Sequence, residues 1–337
     1  MKINKTALQQ ALETVKPGLG SKEIVEQATS FAFLEGRVVT YNDEVSISCP
    51  LPGLAIRGAI RAEELYKLLA KVTEEELEIK VEGGEVLLCA GRASAGLPIQ
   101  QEIKLPLEEV GAIENWFPVD KLFLEALKFA QYTCSQEASH PVLMCVHVDG
   151  SAGLLESSDN FRLTQCTIPV LPGVDFLLPA AVITALLQMK PVEMALGEGW
   201  VHFRAASQAV FSARLVEGAF PNIAPYLLVE DGFEINFPIT LQDVLQRAAI
   251  FSTRDTLADN VVRIRLENRL MIIHGEGEYG WFKEELNYKH KGVPVSFSLN
   301  PAFLQQALKG LRKCTKGERT LLFEGETWKH AVALFKE

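Results

Sequence analysis

Several features of common protein classes are missing from this sequence of 337 residues. No two of its six cysteines form a CxxC pair, and several of them lie in apolar runs typical of strands. Free cysteine in such a run packs as a small apolar side chain. Structural disulfides are rare in cytosolic proteins. We therefore expect reduced thiols in a cytoplasmic protein.

Long apolar runs and positive charge are also scarce. The first residues, MKINKTALQQALETV, contain no apolar segment of the kind that a signal peptide needs. The most apolar stretch, CTIPVLPGVDFLLPAAVITALLQM, contains Asp175 and several prolines, so it predicts a strand and a helix rather than a membrane span. Lys and Arg number 33 against 43 Asp and Glu, and the net charge of −10 argues against a nucleic-acid binder that is basic on every face.

Motifs of common enzymes are absent too. The sequence has no HExxH, GxSxG or Walker A motif, so no catalytic residue can be named. Residues 275–280 match GxGxxG, but a dinucleotide site needs a parallel strand followed by a helix, and the run before them predicts a hairpin. Cys134, His140, Cys145 and His147 lack the spacing of a standard zinc site. We expect no metal and no cofactor.

The sequence does contain a repeat. Six segments have apolar residues at positions i, i+3, i+4 and i+7, which places four side chains on one face of a helix. Asp120, Thr240 and Asn300 are suitable N-caps for three of these helices. The segments recur about every 60 residues, a regularity that chance amphipathic helices would not give. Their first apolar residues are Leu8, Leu65, Phe123, Val182, Leu241 and Leu304.

Alternating strand-like runs with short polar turns lie between these helices. The turns are predicted near residues 36, 83, 150, 198, 268 and 325. Long and short distances from helix to turn alternate, so the unit repeats in pairs. The pattern predicts an α+β fold of three repeated domains, each with two helices and two antiparallel sheets. We place the domains at residues 1–115, 116–231 and 232–337.

Charge is divided unevenly between helices and strands. The six helix segments together carry net positive charge, whereas the rest of the chain is strongly acidic. Lys and Arg favour the C-terminal ends of helices because they interact with the helix dipole, which is one explanation. The other is that the helices share a surface that binds phosphates without reading bases. Composition does not decide between the two.

Four segments, in order along the chain, resemble the bacterial sliding clamp, the beta subunit of DNA polymerase III. They are MKINKTALQQALETVKPGLGSK, RAEELYKLLAKVTEEELEIKVEGGEVLLCAGRA, HPVLMCVHVDGSAGLLESSDNFRLTQCTIPV and SARLVEGAFPNI. The resemblance implies a homodimer of six domains that closes head to tail into a ring. Its helices would line the hole and its sheets would form the outside.

The resemblance also implies a function without catalysis. Such a ring encircles duplex DNA and tethers the replicative polymerase, the clamp loader and other DNA-processing partners through a peptide-binding pocket. A clamp-like regulatory protein, or an enzyme, that does not encircle DNA is the alternative. Basic residues expected to contact DNA phosphates are Lys22, Lys71, Lys309, Arg312, Lys313 and Lys316.

Contacts with partners are expected at two further places. The dimer interface would use the strand at residues 92–99, with Ala95 and Leu97 at apolar contact positions. Ala95 is smaller than the aromatic residue usual in the family, so we expect a weaker dimer. The residues that match the family's partner pocket are Leu143, Ser158, Asp159, Phe161, Arg162, Leu163, Pro221, Tyr226, Val332 and Leu334.

The expected pocket departs from the family pattern in three places. Asn160 and Phe161 replace the usual Gly-His, and Phe161 either fills the pocket wall or anchors a partner. Ala224 and Pro225 stand where a basic residue is usual. The chain ends in VALFKE rather than a Met-Pro-Met-like sequence. We therefore expect an apolar but re-shaped pocket, in which Arg162 and Ser158 hydrogen-bond the bound peptide.

Overall fold

The computed structural model describes residues 1–111, 113–252, 260–290 and 293–335. The chain divides into two compact units. Unit 1 comprises Met1–Lys128 and Phe176–Glu217, and unit 2 comprises Phe129–Asp175 and Gly218–Glu337. Each unit therefore combines parts of neighbouring predicted domains. The domain boundaries near residues 115 and 231 stay a prediction.

Within the described residues, six α-helices lie where the repeat predicts them, which confirms this part of the prediction. In α1, α3 and α5 all four predicted apolar side chains are buried. Helix α2 ends before Val72, and α4 buries Ile183 instead of Ala185. The helices are α1 (Lys5–Val15), α2 (Ala62–Leu69), α3 (Lys121–Ala130), α4 (Ala180–Gln188), α5 (Leu241–Ser252) and α6 (Pro301–Gly310).

Two of the predicted N-caps make the hydrogen bonds expected of them. Asp120 Oδ1 accepts from the backbone N–H of Leu122 at 2.6 Å, and Asn300 Oδ1 accepts from that of Ala302 at 2.9 Å. Pro301 occupies the first turn of α6, where a missing N–H costs nothing. These caps satisfy N–H groups that a helix leaves without partners at its start.

Unit 1 contains two antiparallel sheets. The smaller has the order β1 (Lys2–Asn4), β6 (Glu76–Glu82), β7 (Glu85–Ala90) and β8 (Ala93–Pro98). The larger has the order β5 (Gly58–Arg61), β2 (Ser30–Leu34), β3 (Arg37–Tyr41), β4 (Val45–Pro50), β16 (Val210–Arg214), β15 (Trp200–Ala205), β14 (Pro191–Gly197) and β9 (Phe117–Pro118).

Unit 2 repeats this arrangement. In its larger sheet, neighbouring strands are β10 (Cys145–Asp149), β11 (Leu154–Ser158), β12 (Arg162–Thr167), β24 (Trp328–Ala333), β23 (Thr320–Glu324), β22 (Lys313–Lys316) and β17 (Phe233–Asn236). The smaller sheet has the order β20 (Gly280–Asn287), β19 (Leu270–Gly277), β18 (Val262–Glu267) and β21 (Val295–Leu299). Strand β13 (Asp175–Pro179) spans the point where the sequence passes from one unit to the other.

Strand pairing explains why the units differ from the predicted domains. In unit 1, β4 pairs with β16, and in unit 2, β12 pairs with β24. Each pairing joins strands from two successive predicted domains into one continuous sheet. Backbone hydrogen bonds across these junctions are as regular as those inside a hairpin, so contacts do not separate the domains.

All six predicted hairpin turns are confirmed. They connect β2 to β3, β6 to β7, β10 to β11, β14 to β15, β18 to β19 and β23 to β24. The GxGxxG match at residues 275–280 lies in the antiparallel hairpin of β19 and β20, as its sequence context predicts. A Cβ at Gly275 or Gly277 would collide with the backbone of α5, so these glycines permit close helix–sheet packing.

The core of unit 2 places α5 and α6 against strands of both sheets. Leu245, Leu304, Phe323 and Val332 are fully buried in it. Burial of such a side chain stabilises the fold by about 1.5–3 kcal/mol. This core fixes the strands that carry the expected partner pocket.

Candidate partner groove and basic surfaces

The loop at residues 158–162 is held by its own hydrogen bonds. Asp159 Oδ1 accepts from the backbone N–H groups of Phe161 at 3.1 Å and Arg162 at 2.9 Å. The Ser158 hydroxyl donates to the Arg162 carbonyl at 3.1 Å and accepts from the Asn160 N–H at 3.2 Å. Asn160 has φ +71°, which asparagine tolerates better than most residues. Ser158 and Asp159 therefore build the loop.

Arg162 is also engaged within the chain. Its Nε donates to Asp159 Oδ2 at 2.9 Å, and both side chains are only 12% exposed. Its Nη1 donates to Gln306 Oε1 on α6, and its guanidinium lies 4.4 Å from the centre of the Phe303 ring. The Phe161 ring lies 6.3 Å from the same ring. Both side chains thus support the packing of α6 under the loop.

A small apolar cluster lies on the other face of the same strands. Leu163 on β12 stands directly opposite Ala331 on β24, so the two side chains share a face of the sheet. Leu322, Ile223 and Leu227 complete the buried cluster. Ile223 and Leu227 come from the connector after β16, which a short 3₁₀ turn, Ala224–Leu227, holds against the sheet.

Of the two predicted pocket residues near the end of the chain, Val332 needs a correction. Val332 stands opposite Arg162 and is fully buried in the core with α5 and α6. Leu334 packs against that same core. Because side chains alternate between the faces of a strand, the residues that share the Leu163 face are Ala331 and Ala333. Val332 therefore faces the core rather than a partner, whereas Leu334 stays a predicted pocket residue.

Two cavities flank the turn between β22 and β23. One, of about 440 Å³, lies between the connector and this turn, and Tyr226, Leu228 and Val229 contribute to its wall. The other, of about 350 Å³, is lined by Phe297, Leu334 and Phe335 among others. Both include Glu318 and Arg319. We call these two cavities together the turn groove.

The structure brings only part of the predicted pocket to the turn groove. Tyr226 and Leu334 line its cavities. Pro221 is exposed, and Leu143 is buried in the 3₁₀ turn Pro141–Met144; neither lines the groove. Leu228, 70% exposed, was missed by the sequence reasoning. In the sequence, the feature that could have indicated it is a Leu two residues after Tyr226 in a short connector.

The end of the chain is tied to the groove by backbone hydrogen bonds. The Ala333 N–H donates to the Phe161 carbonyl, Leu334 to Arg319 and Phe335 to Ser298, each at 2.8 Å. The tail therefore joins the loop, the turn and strand β21. Glu337 and its neighbour Lys336 lie outside the described residues.

The six predicted DNA-contacting cations differ in their surroundings. Lys22, Lys71, Lys309 and Arg312 are exposed and take part in none of the ion pairs described for this chain. Lys313 pairs with Glu234 at 2.6 Å, and Lys316 donates to the Gly317 carbonyl at 2.8 Å. Four of the six are thus available to an external anion without breaking a described ion pair or side-chain hydrogen bond.

Strands β8 and β20 are edges of the two smaller sheets. Ala95 and Leu97 on β8 stand opposite Leu88 and Val86 and are half-buried. On the other edge, Phe282 of β20 is half-buried beside α5, where Ile250 is 70% exposed. Both edges therefore combine unpaired backbone with apolar side chains.

Comparisons with known proteins agree with this geometry. No protein-family model matches the sequence. The chain is 24% identical over 344 residues to the beta sliding clamp of Lactococcus lactis, covering 92% of this chain and 89% of that protein. The crystal structure of the DNA polymerase III beta subunit of Pseudomonas aeruginosa superposes with a TM-score of 0.84 at 18% identity, covering 100% of this chain and 99% of that one.

A second solved structure gives the same result. The Bacillus subtilis DNA polymerase sliding clamp also has a TM-score of 0.84 at 18% identity, covering 100% of this chain and 98% of that one. The chain is similar in sequence to a bacterial sliding clamp and shares the fold of the solved clamps. The resemblance and the predicted fold class are confirmed.

The cysteine and histidine residues considered for zinc belong to no cluster of potential metal ligands in the described structure. Within the described ranges, no group of three His, Cys, Asp or Glu side chains could hold a metal ion. His147 lies between Glu156 at 3.2 Å and Asp175 at 3.4 Å. Burial alone would lower the pKa of His147, but the two carboxylates outweigh it and raise that pKa.

In the described part of the chain, no helix is long and apolar enough to cross a bilayer.

Proposed function

We propose that this chain is a DNA sliding clamp, a non-catalytic cytoplasmic processivity factor that encircles duplex DNA. One observation carries the proposal. The chain already contains two junctions at which sheets of successive predicted domains join, β4 with β16 and β12 with β24. A closed ring also needs a junction between the last domain of one chain and the first domain of the next. The strand edges β8 and β20 belong to the first and last predicted domains.

A second copy supplies this junction. In the proposed homodimer, β8 of one protomer pairs with β20 of its partner at two equivalent interfaces, closing six domains. Open strand edges favour such pairing because their N–H and C=O groups lack partners. Ala95 and Leu97 then pack towards Phe282 and Ile250 of the partner surface. Ala95 buries little area, so each interface is weaker by about 1.5–3 kcal/mol than one with an aromatic side chain there.

DNA is held by charge rather than by base recognition. Lys22, Lys71, Lys309 and Arg312 are free to approach phosphates, while the acidic remainder of the chain stays in solvent. Binding of this kind depends strongly on salt and hardly on sequence. Because such binding does not depend on base sequence, the ring can slide along the duplex.

Partners bind the turn groove through short peptides. Its apolar walls, formed by Tyr226, Leu228 and Val229, accept one or two anchor side chains, and such anchors carry most of the affinity in small interfaces. Glu230, Asp231 and Glu318 outnumber the cations Arg319 and Lys316 at its rim. The groove therefore favours neutral or basic peptides. DNA polymerase and the clamp loader are the proposed partners.

The decisive experiment compares DNA topologies. A ring assembled on nicked circular plasmid by a clamp loader stays bound through gel filtration and leaves when the plasmid is cut once. Sedimentation at micromolar concentration supplies the dimer mass. A chain that is monomeric with and without DNA, and is retained equally on cut and uncut plasmid, would instead favour a clamp-like protein that does not encircle DNA.

A further inference from the structure

Unit 1 contains a groove of its own, separate from the turn groove. It has a volume of about 440 Å³ and lies over the junction of β4 with β16. Strands of the larger sheet form its floor, and the segment between β8 and β9 forms one wall. Its apolar lining includes Leu34, Val39, Ile113, Trp116 and Val210. We call this cavity the junction groove.

The floor of the junction groove is the sheet face turned away from α1. Thr40 on β3 donates to the Val15 carbonyl of α1 at 2.5 Å, so Val39, its neighbour in the strand, points to the opposite face. The register places Ser48 opposite both Val39 and Val210, which puts these three side chains on one face. In the proposed ring the helices line the hole. This face is then on the outside, where duplex DNA does not reach it.

The charge in the junction groove is positive. Arg37 is exposed, donates to Ser48 Oγ at 2.6 Å and takes part in none of the described ion pairs. Arg204 pairs with Glu193 at 2.7 Å, and its guanidinium lies 4.2 Å from the centre of the Trp116 ring. In the described part of the chain, no Asp or Glu lines this groove. Arg37 therefore keeps an uncompensated charge there, in contrast to the acidic rim of the turn groove.

A hydroxyl on the floor of the junction groove also lacks a partner. Ser46 is only 6% exposed and lines the groove. Within the described residues its hydroxyl makes no hydrogen bond, and its oxygen is not one of the unpartnered polar atoms sealed from solvent. Its cross-strand neighbour Ser212 bonds to His202 Nδ1 at 2.8 Å instead. A ligand that enters the groove can reach the Ser46 hydroxyl and supply the missing acceptor.

We infer that the junction groove binds a short acidic peptide of a partner protein. An apolar side chain of the peptide packs against Trp116 and Val210, and a few such anchors carry most of the affinity of a small interface. A neighbouring carboxylate accepts hydrogen bonds from Arg37 and Ser46, and a bond between ionised groups is stronger than a neutral one. All lining residues belong to unit 1, so binding does not require ring closure. Only the preference for a peptide over duplex DNA rests on the proposed function.

Titration of the full chain with a labelled peptide tests this inference. The probe is a short peptide in which Leu and Phe are flanked by Asp residues, followed by fluorescence anisotropy. Arg37→Gln and Ser46→Ala should each weaken its binding by about tenfold or more, since a hydrogen bond to a charged group is lost. The matched controls Arg57→Gln and Ser21→Ala, at exposed positions outside the groove, should bind it as the wild type does. Absence of saturable binding, or equal affinity of wild type and Arg37→Gln, would overturn the inference.

Two further measurements locate the bound peptide. A neutral peptide with the same Leu and Phe anchors, in excess, should not displace the acidic probe, because the turn groove accepts it instead. A probe with a photoreactive benzoyl group on its Phe ring should crosslink within residues 34–50 or 204–212. Displacement by the neutral peptide, or crosslinks only within residues 225–231 and 316–320, would place the probe in the turn groove and overturn the inference.

Nucleic acid is the competing occupant. An oligonucleotide that binds the wild type more tightly than Arg37→Gln, while the acidic peptide does not bind, would overturn the assignment to a peptide. Arg37→Gln should melt as the wild type does, because Arg37 is exposed, so weaker binding is not a loss of fold. Saturable, Arg37-dependent peptide binding by a chain that circular DNA does not retain would support the junction groove and refute the proposed function.

Discussion

Replacing Arg162 by Ala should destabilise unit 2 rather than only weaken partner binding. The substitution removes the charge-assisted bond to Asp159, the bond to Gln306 and the contact with the Phe303 ring. A hydrogen bond to a charged group contributes about 1.5–3 kcal/mol and a cation–π contact about 0.5–2 kcal/mol. Asp159 keeps two backbone donors, which limits the penalty for its unpaired charge. We expect a loss of about 3 kcal/mol.

Calorimetry can measure this loss. For a unit of this size, 1 kcal/mol lowers Tm by about 2–4 °C, so the transition that includes unit 2 should move down by about 6–12 °C. Arg312→Ala is the matched control, because Arg312 is exposed and forms no described ion pair; it should change stability by less than about 0.5 kcal/mol. The double variant Asp159→Asn/Arg162→Ala should cost less than the sum of its parts, by about 1–3 kcal/mol.

One result would refute this structural role of Arg162. Suppose that Arg162→Ala melts as the wild type does but no longer binds a peptide with Leu and Phe anchors in a fluorescence titration. Arg162 would then face the partner, as the resemblance to clamps first implied, and the contacts to Gln306 and Phe303 would not hold in solution.

Three further predictions concern the dimer, the tail and pH. Ala95→Phe should tighten the dimer by about 1.5–3 kcal/mol per interface; sedimentation equilibrium showing no change would remove Ala95 from the interface. A chain ending after Phe335 should fold and bind peptide normally, whereas one ending after Val332 should lose both stability and peptide binding, because three backbone hydrogen bonds go with the tail; equal melting of the two truncations would argue against this tether. Burial lowers the pKa of His330 to about 3, below the ordinary value of about 6.5, so the unfolded chain binds protons first and stability should fall as pH drops below about 6.5. His330→Gln should reduce that loss in melts at pH 7 and pH 5, and an unchanged pH dependence would exclude His330 as its source.

Local patterns made the elements predictable. The helices follow from apolar residues such as Leu241, Val244 and Leu245 on one helix face, and the hairpins follow from alternation broken by polar turns. Both signals arise within a few residues of sequence. Fold class could therefore be predicted, because a repeated helix and hairpin leave few ways to bury their apolar faces.

Contacts between distant segments could not be predicted in this way. Arg162 contacts Gln306, which lies 144 positions away in the sequence. No sequence feature near either residue predicts this contact. The junction of β4 with β16 likewise joins parts of two predicted domains. Long-range pairing of this kind depends on how whole sheets align, which neither composition nor periodicity encodes.

The terminal strand illustrates the same limit within a single element. The run from Ala331 to Phe335 is apolar at every position, so alternation does not indicate which face is buried. Its register is set instead by pairing with β12, which places Val332 in the core and leaves the small side chains Ala331 and Ala333 on the Leu163 face. Pairing with β12 therefore decides which of two equally apolar faces enters the core, and Val332 and Leu334 hold the end of the chain there.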